Sequence, residues 1–263
     1  MKVKVPFDLR HDSRTSYTIA CAGGLLLAFE DSGRRARVGA LGFEAFRWRD
    51  VLRWGAPFAL SPQGHVALHG SAVRRDGGPL VAFLGVGGAG KSTLGSGLRR
   101  RGWQQVADDV IFCAGGRLVR LDGEDVLRAW VAGHDGRIDP TTPVDYAGLS
   151  RRLAAPSPAG TAPLAAVAFL DEVRAAGAEF VARPLSGAEA FCGLVKYGFG
   201  GLPCPAAWRR QFEVYGALAA RTTAVRLAAP EGLAPAEAAL GQLEGLIDRW
   251  LAVAAGGAGP GAR

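Results

Sequence analysis

Gly85-Val86-Gly87-Gly88-Ala89-Gly90-Lys91-Ser92 is the stretch on which the reading of this chain turns. It fills every fixed position of the phosphate-binding pattern G-x-x-x-x-G-K-[ST]. The apolar run Leu80-Val81-Ala82-Phe83-Leu84 leads into it and predicts a buried strand. Behind it, Ser92 to Leu98 predicts a helix that ends in Arg99-Arg100-Arg101-Gly102, with cations where the helix dipole favours them and a glycine stop. In a strand–turn–helix of this kind, glycines let backbone N–H groups approach phosphate oxygens, and the helix N-terminus adds positive potential. The candidate nucleotide contacts are therefore Gly85, Gly87, Gly88, Ala89, Gly90, Lys91, Ser92 and Thr93. Lys91 is expected on the β- and γ-phosphates of ATP, and the Ser92 hydroxyl on its Mg²⁺.

Upstream, Gly64 to Val73 alternates enough to be a strand, and Asp76-Gly77-Gly78 turns it into the strand before the loop. His69 sits on that strand. A lone strand histidine is usually structural; its pairing with the acids downstream of the loop makes it a candidate. There, Gln104-Gln105-Val106-Ala107 leads to Asp108-Asp109 and then Val110-Ile111-Phe112-Cys113. Two carboxylates inside an apolar run are costly to bury unpaired, and a Mg²⁺-nucleotide at the strand end would offset that cost. Neighbours on a strand face opposite sides, so one acid would serve the metal shell and the other a substrate hydroxyl. A polar turn at a strand edge is the alternative. Phe169-Leu170-Asp171-Glu172 is a competing metal acid at a strand end; beside the phosphates, it would overturn the assignment to Asp108 and Asp109.

The flanks are plainer. Ser16–Cys21 and Leu25–Glu30 predict a hairpin through Gly23-Gly24, with Arg37–Leu41 a third strand. Phe46 to Trp54 reads as an amphipathic helix rather than a nucleic-acid face. Arg117–Leu121 is a candidate strand, and Ala154–Pro163 a flexible stretch. Leu164–Leu170 predicts a buried strand, with Glu179–Leu185 pairing to it. Ser186-Gly187-Ala188-Glu189 fits a capping box that opens a helix through Leu194. Ala206–Ala220 is a second helix, Thr223–Leu227 a strand, and a last helix runs from near Pro235 to Trp250 or beyond. Residues 1–62 are expected as a β-rich lobe or sheet extension, 63–252 as the main domain and 253–263 as a disordered tail.

With 263 residues, the chain fits one large domain or two small ones. No apolar run approaches the roughly 20 residues of a membrane span. The start, Met1 to Pro6, lacks the apolar segment of a signal peptide, which predicts a cytoplasmic location. Cys21, Cys113, Cys192 and Cys204 show no metal or disulfide spacing and are expected as free thiols. The net charge of +7 permits acidic partners, but no nucleic-acid motif accompanies it.

Leu68-His69-Gly70-Ser71-Ala72-Val73, the loop Gly85–Ser92, and Gly102-Trp103-Gln104-Gln105-Val106-Ala107-Asp108-Asp109-Val110 together resemble the catalytic core of HPr kinase/phosphorylase. The branch they look most like is the HPr-kinase-like proteins of bacterial peptide-modification clusters, lasso-peptide kinases among them. The resemblance covers residues 65–113 closely and residues 164–251 only through the order of elements. It implies an α/β fold with a P-loop core like the HPr kinase C-terminal domain (PEP carboxykinase-like), here beside a small N-terminal β-rich lobe. It also implies an ATP-dependent serine kinase, with Lys91 on the nucleotide and Ser92 on Mg²⁺. Asp109 would accept the hydroxyl proton, Asp108 would hold the metal or its waters, and His69 would lie near the transferred phosphate. The second signature of that family, with a metal-binding glutamate, has no match; Glu124, Asp125 and Asp135 are the nearest acids. A peptide or protein acceptor other than HPr is therefore expected, and the family suggests homo-oligomers. A small-metabolite kinase would use the same residues, and a nucleotide-dependent regulator would bind without transfer.

Overall fold

Alternation along three apolar strands sets the architecture, because each strand buries both of its faces. The computed structural model describes residues 8–11, 17–21, 25–30, 35–40, 65–108, 110–114, 117–119, 144–145, 161–170, 179–198, 205–230 and 237–256. Strands β1 (Asp8–His11), β2 (Tyr17–Cys21), β3 (Leu25–Glu30) and β4 (Arg35–Ala40) form an antiparallel meander. The remaining strands are β5 (His65–Arg74), β6 (Leu80–Leu84), β7 (Gln104–Ala107), β8 (Val110–Ala114), β9 (Arg117–Val119), β10 (Val144–Asp145), β11 (Thr161–Leu170), β12 (Val181–Pro184) and β13 (Thr223–Ala228). The helices are α1 (Lys91–Arg100), α2 (Gly187–Tyr197), α3 (Pro205–Arg221) and α4 (Glu237–Gly256).

The main sheet has eight strands in the order β12-β13-β11-β6-β5-β8-β9, with β7 also paired to β5. It is mixed: β11 lies parallel to both β6 and β13, and the other pairings are antiparallel. Leu80, Ala82 and Leu84 of β6 and Val167 and Phe169 of β11 pack with Ala190 and Leu194 of α2 and Tyr215 and Leu218 of α3. The intervening Val81, Phe83, Ala166, Ala168 and Leu170 pack with Leu94 and Leu98 of α1 and Leu243, Ile247 and Trp250 of α4. Helices thus cover both faces, as a sheet with parallel central strands requires. Each fully buried large side chain contributes about 1.5–3 kcal/mol of apolar transfer. Among the described residues, no helix is long and apolar enough to cross a membrane.

Several expectations need correction. β12 pairs with β13 and not with β11, because β6 and β13 already occupy both edges of β11. Mostly exposed, and closing in Pro184, β12 suits an edge. Thr161–Pro163 is no flexible stretch; it forms the first part of β11 and pairs with β9. α4 runs to Gly256, so the start of the expected tail is helical. β10, from well inside the expected main domain, joins the first sheet through β4. The Phe46–Trp54 segment lies outside the described residues.

Candidate functional site

The turn between β6 and α1 takes its shape from backbone that only glycine adopts easily. Gly88 and Gly90 have φ of 83° and 101°. A Cβ on Gly87 or Gly88 would meet nothing within 4 Å, so packing requires neither to be glycine, and Gly88 is set by its φ alone. The Ala89 N–H donates to the Val86 carbonyl at 3.1 Å and closes the turn. Gly90 is the N-cap of α1, and no side chain caps it. The first-turn N–H groups therefore carry no side-chain acceptor at the cap, as an anion cradle requires. Lys91 is 6% exposed, and its Nζ donates to the Gly85 and Val86 carbonyls at 2.8 and 2.9 Å. The ammonium is thus held against the loop itself. Ser92 and Thr93 are exposed at the start of α1.

Across β5, the aspartate pair falls at a break. β7 and β8 run along β5 in the same sense, with Ala107 opposite Ala72 and Val110 opposite His69. Asp108 lies in the gap, and its carbonyl accepts from the Val110 N–H at 2.9 Å. Its side chain is exposed, which corrects the expectation of a carboxylate needing compensation for burial. The Ser92 Oγ donates to Asp108 Oδ1 at 2.9 Å. Loop serine and strand-break acid, 16 positions apart, thus meet directly. Asp109 lies outside the described residues, as do Glu124, Asp125 and Asp135.

His69 is half-buried on β5. Its neighbour Gly70 pairs with Leu84, the last residue of β6. The backbone of His69 is therefore one residue from the pairing that ends β6 before the loop, and it lies opposite Val110, two residues past Asp108. A Cβ on Gly70 would sit 2.4 Å from Leu84 Cδ2 and 2.6 Å from the Phe83 carbonyl oxygen, so only glycine fits there. α1 approaches β5 in the same way: a Cβ on Gly95 would lie 2.6 Å from Ser71 Oγ. Ser71 Oγ donates to the Ala107 carbonyl at 3.2 Å and accepts from Gln105 Nε2 at 3.1 Å, which pins β5 to β7 just before Asp108. The sequence reading assigned no role to Gly70, Gly95 or this pin. An isolated glycine within a helical pattern and a serine within an apolar strand were the available signals.

The competing acid pair has a place too. Phe169 of β11 pairs with Leu84, and a Cβ on Gly85 would lie 3.1 Å from Leu170 Cβ. β11 therefore ends against the loop; Asp171 and Glu172, next in the chain, lie outside the described residues. For a cation, the hydroxyl of Ser92 and the carboxylate of Asp108 form a hard-oxygen donor pair that suits Mg²⁺. Among the described residues, no group of three His, Cys, Asp or Glu side chains could hold a metal. Mg²⁺ fits such a sparse set, because it keeps waters and takes phosphate oxygens as ligands. No protein-family model matches the chain, and no curated protein matches it.

Proposed function

We propose that this chain is an ATP- and Mg²⁺-dependent serine kinase of the HPr-kinase-like type, built on a P-loop core. Its acceptor is a serine of a peptide or protein, most concretely a ribosomally made precursor peptide. The observation that carries the reading is the 2.9 Å hydrogen bond from Ser92 to Asp108, beside the buried Lys91. It joins the two oxygen donors that a phosphoryl-transfer site asks of its protein.

The roles follow from chemistry. The loop amides and the N-terminus of α1 bind phosphate oxygens, and Lys91 exchanges loop carbonyls for the β- and γ-phosphates. Mg²⁺, held by Ser92 and Asp108, would supply neutralisation of the phosphate charge. Asp109 accepts the proton of the acceptor serine as its oxygen bonds to the γ-phosphorus and the bond to ADP breaks. His69 faces the transferred group.

The test is transfer from γ-labelled ATP to HPr, serine-containing peptides and hydroxylated metabolites. Label on a peptide or protein serine, reduced at least about 100-fold in Lys91→Ala and Asp109→Asn, is expected. Label on a metabolite alone, or tight ATP binding with no transfer, would overturn the proposal. One observation favours a second reading, an ATP hydrolase using Asp171: β11 ends against the loop at Leu170. Acceptor-independent phosphate release, lost in Asp171→Asn but not in Asp108→Asn, would establish it.

A further inference from the structure

We propose that Ser71 is a positioning residue: its buried hydroxyl sets α1 and β7 against each other and so fixes the Ser92–Asp108 pair at the spacing Mg²⁺ needs. This rests on the reading that Ser92 and Asp108 hold the metal of a bound nucleotide, and adds the residues that hold the pair in place.

Ser71 lies on β5 and is fully buried. A hydroxyl has one proton to donate and lone pairs to accept with. Ser71 uses both on β7, donating to the Ala107 carbonyl at 3.2 Å and accepting from Gln105 Nε2 at 3.1 Å. The pairing is irregular at that point. Ala72 pairs with Ala107 and Val73 with Gln105, so Val106 is the extra residue of a β-bulge. A bulge interrupts the ladder and re-aims the side chains beside it. The two bonds to Ser71 brace it from both sides, at Gln105 before and at Ala107 after. Asp108 comes next, so the direction in which its carboxylate leaves β7 is set here.

The same hydroxyl meets α1. A Cβ on Gly95 would lie 2.6 Å from Ser71 Oγ and 2.7 Å from Gln105 Nε2, so the helix rests directly on these two side chains. Ser92 precedes Gly95 by three residues, and residues so spaced share one face of a helix. That face of α1 therefore touches Ser71 and Gln105 at Gly95 and, one turn earlier, Asp108 at Ser92. Both members of the metal pair are thus placed by one buried side chain. Mg²⁺ demands near-ideal octahedral geometry at about 2.0–2.1 Å, whereas Ca²⁺ accepts oxygens at about 2.3–2.6 Å in flexible arrangements. A loosened pair should therefore lose Mg²⁺ more than Ca²⁺.

The full chain is titrated calorimetrically with ATP in EDTA, in Mg²⁺ and in Ca²⁺. Ser71→Ala should keep the metal-free affinity within about twofold and lose Mg²⁺-ATP affinity about tenfold, the size typical of groups that orient metal ligands. The ratio of Mg²⁺-ATP to Ca²⁺-ATP affinity should fall at least about fivefold, a change that general loss of stability does not produce. Gln105→Ala, at a half-buried position, should show a smaller fall in the same ratio, and it decides the matter if Ser71→Ala does not fold. Gly95→Ala, which keeps the hydroxyl but pushes α1 away from it, should lower the ratio too. The helix-cap variant Ser186→Ala, destabilised on another element, should change none of the three affinities. Equal losses in EDTA, Mg²⁺ and Ca²⁺ would make Ser71 a purely structural residue and overturn the proposal. So would an unchanged ratio in Ser71→Ala, or in Gln105→Ala where only that variant folds. If Mg²⁺ does not tighten ATP binding to the wild type, or if Asp108→Ala keeps the whole Mg²⁺ effect, the metal reading itself fails and this inference falls with it.

Discussion

Ser92 and Asp108 are both exposed and bond to each other, so each can be removed with little loss of packing. Ser92→Ala is expected to keep the wild-type Tm but to lose the Mg²⁺-dependent part of ATP affinity. Titration with and without Mg²⁺ checks this; an undiminished Mg²⁺ effect would remove Ser92 from the metal site. Gly70 is the opposite kind of residue. Its would-be Cβ meets a backbone oxygen at 2.6 Å, and backbone cannot swing aside as a flexible side chain can. Gly70→Ala should therefore cost about 1–3 kcal/mol, measured by denaturant unfolding, by overpacking between β5 and β6. Cys113 is fully buried, and burial pushes its thiol up to about 12, so it stays an unreactive thiol at neutral pH.

At the scale of elements, α2 shows how a local signal sets an end. Ser186 is its N-cap, with the Glu189 N–H donating to Ser186 Oγ at 3.3 Å and the Ser186 N–H donating to Glu189 Oε2 at 2.9 Å. Arg183, on β12, adds an ion pair to Glu189 at 2.9 Å. Ser186→Ala should cost about 1 kcal/mol by the same unfolding measurement. The backbone N–H of Ser186, then Arg183 and the Ser186 hydroxyl, lower the Glu189 carboxyl from 4.5 to about 2. A carboxyl lowered by folding stabilises the protein above its unfolded value and loses that contribution as pH falls toward the folded one. The Tm difference between wild type and Glu189→Ala should thus be constant above pH 4.5 and shrink as pH falls toward 2. A difference that grows on acidification would mean that Glu189 does not act as a carboxylate here.

At the scale of the molecule, Glu244 ties α4 to the outer end of the β5–β6 and α1–β7 connections. Its carboxylate accepts from Trp103 Nε1 at 2.8 Å, Arg75 Nη2 at 3.0 Å and Arg101 Nε at 2.7 Å. The Arg75 guanidinium also lies over the Trp103 ring, 4.4 Å from its centroid. Partial burial raises the Glu244 carboxyl, but the hydrogen bonds from Arg101 and Trp103 and the charges of Arg101 and Arg75 outweigh it and leave it below its usual value. Trp103 is 2% exposed, so Glu244→Ala leaves a buried indole N–H without its acceptor. A loss of about 2 kcal/mol is expected in chemical denaturation, with the helical signal of α4 and the native Trp103 fluorescence lost together. These four contacts join residues far apart in sequence, and nothing in the local pattern around Glu244 announces them.

Much of the fold was legible where the cause is local. The turn at Asp76-Gly77 has φ of 51° and 70° at its two central residues, as a tight hairpin between β5 and β6 asks, and Asp-Gly says so in two letters. The five-residue apolar run of β6, the glycine stop after α1 and the capping box of α2 are likewise short-range chemistry. So is the loop, since the φ of Gly88 and Gly90 and the open helix end follow from residue type. Pairing is another matter. Whether β12 joined β11 or β13 depended on which edges of β11 were already taken, and that is a property of the assembled sheet. The meeting of Ser92 with Asp108 required β7 and β8 to break opposite Gly70-Ser71. Backbone torsion and periodicity are written in neighbouring residues, so sequence alone determined the apolar central strands, the helices around them and the glycine-rich turn. Distant groups meet only when burial of both sheet faces fixes the strand order, so tertiary structure alone decided that Ser92 meets Asp108 and that β12 pairs with β13.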